Sequence, residues 1–158
     1  MIQRIQTIYL LIAIAAISIV LLGNNVLVYF IGASIERYDL TLFGIVDQEQ
    51  LPLQSSFNFP LYIFAILLIP LLVLSILSYK NLKRQSLLIS VSIGLYSLLM
   101  VAILVIYFFS DIKVDDIKLN SIIGAGFYIL GIGLPFLFLA NNGVKRDKNL
   151  IDSLNRLR

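Results

Sequence analysis

The sequence predicts an all-α membrane protein: a four-transmembrane-helix bundle, a small extracytoplasmic β-hairpin in its first outer loop, and a short C-terminal amphipathic helix. Three observations carry this. Of 158 residues, 59% are hydrophobic and 13% charged, whereas soluble domains are about half apolar and a quarter charged. Four segments, residues 5–22, 57–79, 87–109 and 119–140, contain no charged residue. Each approaches or reaches the roughly 20 residues that carry a helix across about 30 Å of hydrocarbon. Lys and Arg also crowd into alternate connections, as they do where a chain is threaded repeatedly through a bilayer. The organisation is a membrane domain over residues 1–144 and a basic cytoplasmic tail over 145–158.

The first span follows the basic tip MIQR. A cleaved secretory signal needs small residues just past its apolar run. Leu22, Gly23, Asn24, Asn25 and Val26 do not supply them, and Ala13 and Ala15 lie too deep, so the segment is read as a permanent helix. The outer loop, residues 23–56, is too long for a simple connection. Within it VLVYFI is β-rich, and in IERYDLTLFGIV the polar Glu36, Arg37, Asp39 and Thr41 interleave with Tyr38, Leu40 and Leu42. The Gly-Ala-Ser turn at Gly32 separates two strands of an antiparallel pair. Such a pair serves either as a lid over helix ends or, through a sheet edge and the acidic Asp47 and Glu49, as a docking surface.

Pro60 suits the first turn of the second span, and Pro70, inside it, predicts a kink. The third span is preceded by Ser86 and contains Ser90, Gly94 and Ser97, which fall along one face as a packing seam. The next connection, SDIKVDDIKLN, groups Asp111, Asp115 and Asp116 without the spacing of a calcium loop, and is read as a solvated turn. The fourth span holds Gly124, Gly126, Gly131 and Gly133 as a second small-residue seam, and Pro135 predicts another kink. The hydroxyls of the spans and Tyr96 are expected to bond helix backbone or neighbouring helices. Tyr9, Tyr62, Tyr79 and Tyr107, near span ends, suit the interfacial belt. In the tail, Leu150, Ile151, Leu154 and Leu157 recur at helical spacing among basic residues, as in a helix lying on anionic lipid or against a partner.

Arg4, Lys80, Lys83, Arg84, Lys145, Arg146, Lys148, Arg156 and Arg158 fall on one side of the predicted topology; Arg37, Lys113 and Lys118 fall on the other. Both termini are therefore expected in the cytoplasm.

The same composition narrows the chemistry. Without Cys or His there is no thiolate nucleophile, no thiolate metal site and no neutral-pH imidazole base. No phosphate loop, dinucleotide fingerprint, paired carboxylates or ionisable group inside a span points to catalysis, a cofactor, a metal or proton relay. The basic residues flank apolar spans instead of forming a stripe, which argues against nucleic acid.

The opening MIQRIQTIYLLI resembles the start of an uncharacterised family of small four-helix membrane proteins from Gram-negative bacteria. The likeness in length, span count and long first outer loop extends over the chain, and implies a multi-pass inner-membrane location. The resemblance brings no catalytic or binding residue with it; Gln3, Arg4 and Gln6 are the polar positions of the shared phrase, with headgroup anchoring as their simplest role. The architecture is also similar to claudin-like proteins, whose Trp and Cys signature is missing here.

The expectation is a non-enzymatic accessory or scaffolding subunit of a larger membrane complex, its partners being the bilayer and other membrane proteins. A homo-oligomer through the same seams is also compatible. The candidate interaction or packing residues are Gln3, Arg4, Gln6, Ser86, Ser90, Gly94, Gly124, Gly131, Leu150 and Leu154. The alternative is a small transporter or lipid-handling protein using the kinked second and fourth helices, with Ser90, Tyr96 and Gly131 lining a cavity.

Overall fold

The computed structural model describes residues 3–23, 25–31, 37–47, 61–109, 113–114, 117–118 and 120–156. The Gly32–Ser34 turn, Glu36, Glu49, Pro60, Asp111, Asp115, Asp116 and Leu157 lie outside these, as do the side chains of Gln3, Arg4, Asp47 and Leu154. The structure is mostly helical. Helix α1 is Gln3–Leu22, α2 Leu61–Leu77, α3 Leu82–Phe109 and α4 Ala125–Arg156. The strands are β1 (Val28–Ile31), β2 (Arg37–Thr41), β3 (Gly44–Asp47), the two-residue pair β4 (Lys113–Val114) and β5 (Ile117–Lys118), and β6 (Asn120–Ile123).

Each helix carries a buried seam in which steps of four and three residues alternate. The seam positions are Gln6, Leu10, Ala13, Ile17 and Val20 on α1, and Leu61, Ala65, Leu68, Leu72 and Ser75 on α2. On α3 they are Gln85, Ile89, Ser92, Tyr96, Leu99 and Ile103; on α4, Gly126, Leu130, Gly133, Leu137, Ala140 and Val144. Ala16 and Asn141, each next to a seam residue, are buried as well. A 3.5-residue period keeps a seam turned toward neighbouring helices when they supercoil left-handedly. Accordingly α1 packs on α2, α2 on α3, α3 on α4, and α4 closes against α1.

The exterior reverses the usual distribution. Outward-facing positions on α1 are Ile5, Ile8, Leu11, Ala15, Ile19 and Leu22; on α2 they are Ile63, Ile66, Leu67, Pro70, Val73, Leu74 and Leu77. Soluble monomers do not expose apolar surface so continuously. Among the described residues three helices, α1, α3 and α4, are long and apolar enough to cross a membrane, whereas α2 is a shorter apolar helix of 17 residues.

Four strands form an antiparallel sheet in the order β3-β2-β1-β6. The predicted pairing of two strands is present, with Val28 opposite Leu40 and Phe30 opposite Tyr38, but two further strands join it. IERYDLTLFGIV is not one strand. It turns back at Leu42 and Phe43, because Gly44 adopts φ 137°, where a side chain is disfavoured. The Thr41 hydroxyl fixes that turn, accepting from the Phe43 amide at 3.3 Å and donating to the Gly44 carbonyl at 3.0 Å. On one face Val28, Phe30, Tyr38, Leu40 and Ile45 are buried in the same core as the helices. On the other, the Arg37 guanidinium lies 4.0 Å from the Tyr29 ring centre and 2.8 Å from the Asp39 carboxylate. The hydrogen bond to Asp39 raises the Arg37 pKa.

The sheet covers one end of the bundle. The α2 amide of Tyr62 donates to Leu42 O at 3.0 Å, and those of Gly124 and Gly126, at the start of α4, donate to Leu27 O and Val26 O at 2.8 and 2.9 Å. Ser121 Oγ on β6 reaches Tyr107 O of α3 at 3.4 Å. The helices thus alternate in direction, and the opposite end carries the start of α1, the α2–α3 turn and the far end of α4.

Three boundaries differ from the sequence expectation. Residues 120–123 open the predicted fourth span yet form β6, because the β1 edge offers a ladder for Ser121, Ile122 and Ile123. Helix α3 starts at Leu82, not Leu87, because Asn81 caps it: its side-chain oxygen accepts from the Arg84 amide at 3.3 Å and its carbonyl from the Gln85 amide at 2.9 Å. Helix α4 continues to Arg156 in one run of 32 residues, about 48 Å, so residues 145–156 prolong the fourth helix and are not a separate short one. Pro70 and Pro135 lie inside α2 and α4 on outward-facing positions, away from the seams.

Candidate functional site

The polar residues of the helix core gather in the half of the bundle away from the sheet. Gln6, Ser75, Gln85, Ser92 and Asn141 are all buried. Ser75 and Gln85 stand just before and just after the α2–α3 turn, while Gln6 opens α1 and Asn141 follows the apolar part of α4. They fall in the same half of the bundle because neighbouring helices run in opposite directions.

Gln6 binds α1 to α4. Its side chain is 2% exposed, and its Nε2 donates to Asp147 Oδ2 at 2.6 Å. It fits only because residue 143 is glycine: a Cβ there would stand 2.9 Å from Gln6 Cγ. Gln6 Oε1 is buried with no partner among the described residues. One turn further along, Tyr9 rests on Phe136 with ring centres 5.8 Å apart.

Asn141 binds α4 to α3. Its Nδ2 donates to Ser90 Oγ and its Oδ1 accepts from Ser86 Oγ, both at 3.4 Å. Nearer the middle, Tyr96 is fully buried and its hydroxyl donates to Leu130 O at 2.8 Å. Gly133 provides the space, since a Cβ there would collide with the Tyr96 hydroxyl. Ser92 and Ser97 donate to Leu88 O and Gly94 O of their own helix at 2.9 Å each. Interhelical bonds of this kind contribute on the order of 0.6 kcal/mol each in membrane proteins, enough to fix register but not to account for the fold.

The sequence-predicted candidates divide among several places. Gln3 and Arg4 begin α1. Gln6, Ser86 and Ser90 belong to the polar contacts just described. Gly94 faces outward, and a Cβ added there would have nothing within 4 Å; one added at Gly131 would meet only Met100 Cε, at 4.0 Å. Gly124 lies before α4 and packs on the Val26 carbonyl, so it joins helix to sheet instead of helix to helix. Leu150 is 52% exposed on the extension of α4, which also carries Leu154. Ser90, Tyr96 and Gly131 do not come together: Tyr96 fills the core, while Ser90 is exposed and bonded to Asn141.

Sequence reasoning missed Asn141, Gly143, Asp147, Gln85 and Ser75. The doublet Asn141–Asn142 reads as the end of a span, and Gln85 reads as loop beside Lys83 and Arg84. For Ser75 and Gln85, the 3.5-residue step from apolar core positions was the available signal. Chemically the site offers amide and hydroxyl groups and one carboxylate; among the described residues no cluster of three metal-ligating side chains occurs.

A family model described as a domain of unknown function, DUF4293, matches residues 2–157. The chain belongs to the DUF4293 family. The DUF4293 match takes in all four helices and the sheet. No curated protein matches the chain.

Proposed function

We propose that the protein is a multi-pass protein of the bacterial inner membrane, spanning it with all four helices, and serves as a non-enzymatic accessory or scaffolding subunit of a larger membrane complex. The apolar exterior carries the reading: large apolar side chains stand exposed along the outward faces of the helices, while Gln6, Ser75, Gln85, Ser92 and Asn141 are buried. Helix α2, at 17 residues, reaches about 25 Å; local thinning of the bilayer and the flanking Tyr62 and Tyr79 accommodate the shortfall. Lys80, Lys83, Arg84, Lys145, Arg146 and Lys148 stand at the end away from the sheet, which directs that end and both termini to the cytoplasm. The sheet then covers the outer end.

The scaffolding role rests on α3. Ser90, Gly94 and Ser97 make a shallow polar strip on an otherwise apolar exterior, and small residues of this kind let another helix approach closely. A Cβ at Gly94 meets nothing within 4 Å, so Gly94→Leu should fold normally yet lose a helix docked there. Purification from the native membrane in mild detergent, followed by mass spectrometry, tests this. A stoichiometric membrane partner, lost in Gly94→Leu, is expected; recovery of this chain alone at stoichiometric purity would refute the subunit role.

A further inference from the structure

An open groove of about 550 Å³ lies at the end of the molecule away from the sheet, where the α2–α3 turn meets the extension of α4. Lys80 and Lys83 enter it from the turn and the first turn of α3, and Lys148 from α4. Among the described residues, no Asp or Glu lines it. None of the three ammonium groups has an ion-pair partner among the described residues; Lys80 Nζ lies 5.8 Å from the Tyr79 ring centre. Three cations on two separate elements, without an ion-pair partner among the described residues, suit a multiply accepting anion, above all a phosphate group.

The remaining walls are not suited to a free ion. Tyr79, Leu82 and Ile151 give the groove an apolar side, and Tyr79 and Ile151 are about half exposed. Leu77 and Leu87, both facing outward, follow along α2 and α3, so the cationic pocket borders the apolar exterior. A ligand filling both parts has a phosphate at one end and hydrocarbon at the other. We propose that this groove binds the headgroup of an anionic phospholipid, its phosphate among Lys80, Lys83 and Lys148 and its glycerol and first methylenes along Leu82 and Ile151. The proposal rests on the reading that the helices span a bilayer with this end in the inner leaflet, where anionic headgroups attract basic side chains.

Phosphatidylglycerol and phosphatidylcholine titrated into the full chain in detergent micelles, with bound lipid counted by native mass spectrometry, test it. One phosphatidylglycerol should bind at least about tenfold tighter than phosphatidylcholine. Loss of a lysine near an anionic headgroup is worth about fivefold, so Lys83→Gln with Lys148→Gln should weaken that binding about 25-fold. Lys145→Gln with Arg146→Gln removes as much charge outside the groove and should leave it unchanged. Equal binding of the two lipids, equal losses in both pairs of variants, or displacement by soluble glycerol phosphate at the lipid's own concentration would each overturn the proposal. Alkaline extraction of native membranes separates the two failures: release of the protein refutes the spanning reading, whereas retention without lipid selectivity refutes only the groove.

Discussion

Replacing Gly133 by Ala tests whether the seam between α3 and α4 is packed as described. The added methyl would collide with the Tyr96 hydroxyl and stand 2.9 Å from Cζ of the same ring. Tyr96 has no free direction in which to retreat, because it is fully buried and its hydroxyl is held by Leu130 O at 2.8 Å. Forcing a methyl into a filled core costs roughly 1–3 kcal/mol, a factor of about 5 to 150 in the unfolding equilibrium. Tyr96→Leu is destabilising by itself, since it removes the hydrogen bond and empties volume. In that background, however, the alanine methyl enters vacated space. The two substitutions should therefore be strongly non-additive, with Gly133→Ala costing little or even stabilising when Tyr96 is gone. Reversible unfolding in mixed SDS micelles, followed by circular dichroism, gives the four stabilities of the cycle. Additive costs within about 0.5 kcal/mol would mean that Tyr96 and Gly133 do not occupy one space, and the packing argument for α3 and α4 would fail.

Other substitutions probe the polar core by the same unfolding assay. Asp147→Ala leaves Gln6 Nε2 buried without an acceptor beside an already unpartnered Oε1, and should cost about 1–3 kcal/mol. Adding Gln6→Leu removes both orphaned atoms and should recover much of that loss; no recovery would argue that Gln6 does not face Asp147. Ser75→Ala deletes a buried hydroxyl that has no partner among the described residues, so stability should stay unchanged or rise by about 1 kcal/mol. A loss above about 1 kcal/mol would reveal a hydrogen bond absent from this arrangement.

The helices were legible in the sequence because each contains a long charge-free run, and the β1–β2 pairing because Tyr38 and Leu40 alternate with Arg37 and Asp39. The seams were not. When Leu11 and Leu10 are equally apolar, hydrophobicity cannot say that one faces outward and the other the core. Only the rarer residues break the degeneracy, and they do so with a 3.5-residue step: Gln6 with Ala13, Ser75 with Leu68, Ser92 with Gln85 and Leu99. The glycines of the fourth span illustrate the same limit. Their spacing is compatible with one helix face, yet Gly124 meets the backbone before β1, Gly133 meets Tyr96, and Gly131 is nearly open. The span boundaries were misplaced wherever helix or strand formation and hydrophobicity part company. Lys83 and Arg84 are charged but helical, and Ile122 and Ile123 are apolar but paired in a strand.

The absence of Cys makes the threading of the chain directly measurable, because every introduced thiol reports alone. Phe43→Cys places one in the exposed β2–β3 turn, and Lys80→Cys places one in the exposed α2–α3 turn. In right-side-out spheroplasts treated with a membrane-impermeant maleimide, Phe43→Cys should be labelled at once and Lys80→Cys only after the membrane is permeabilised. Labelling of Lys80→Cys in intact spheroplasts, or equal labelling of both before permeabilisation, would contradict a four-span bundle with its basic end in the cytoplasm.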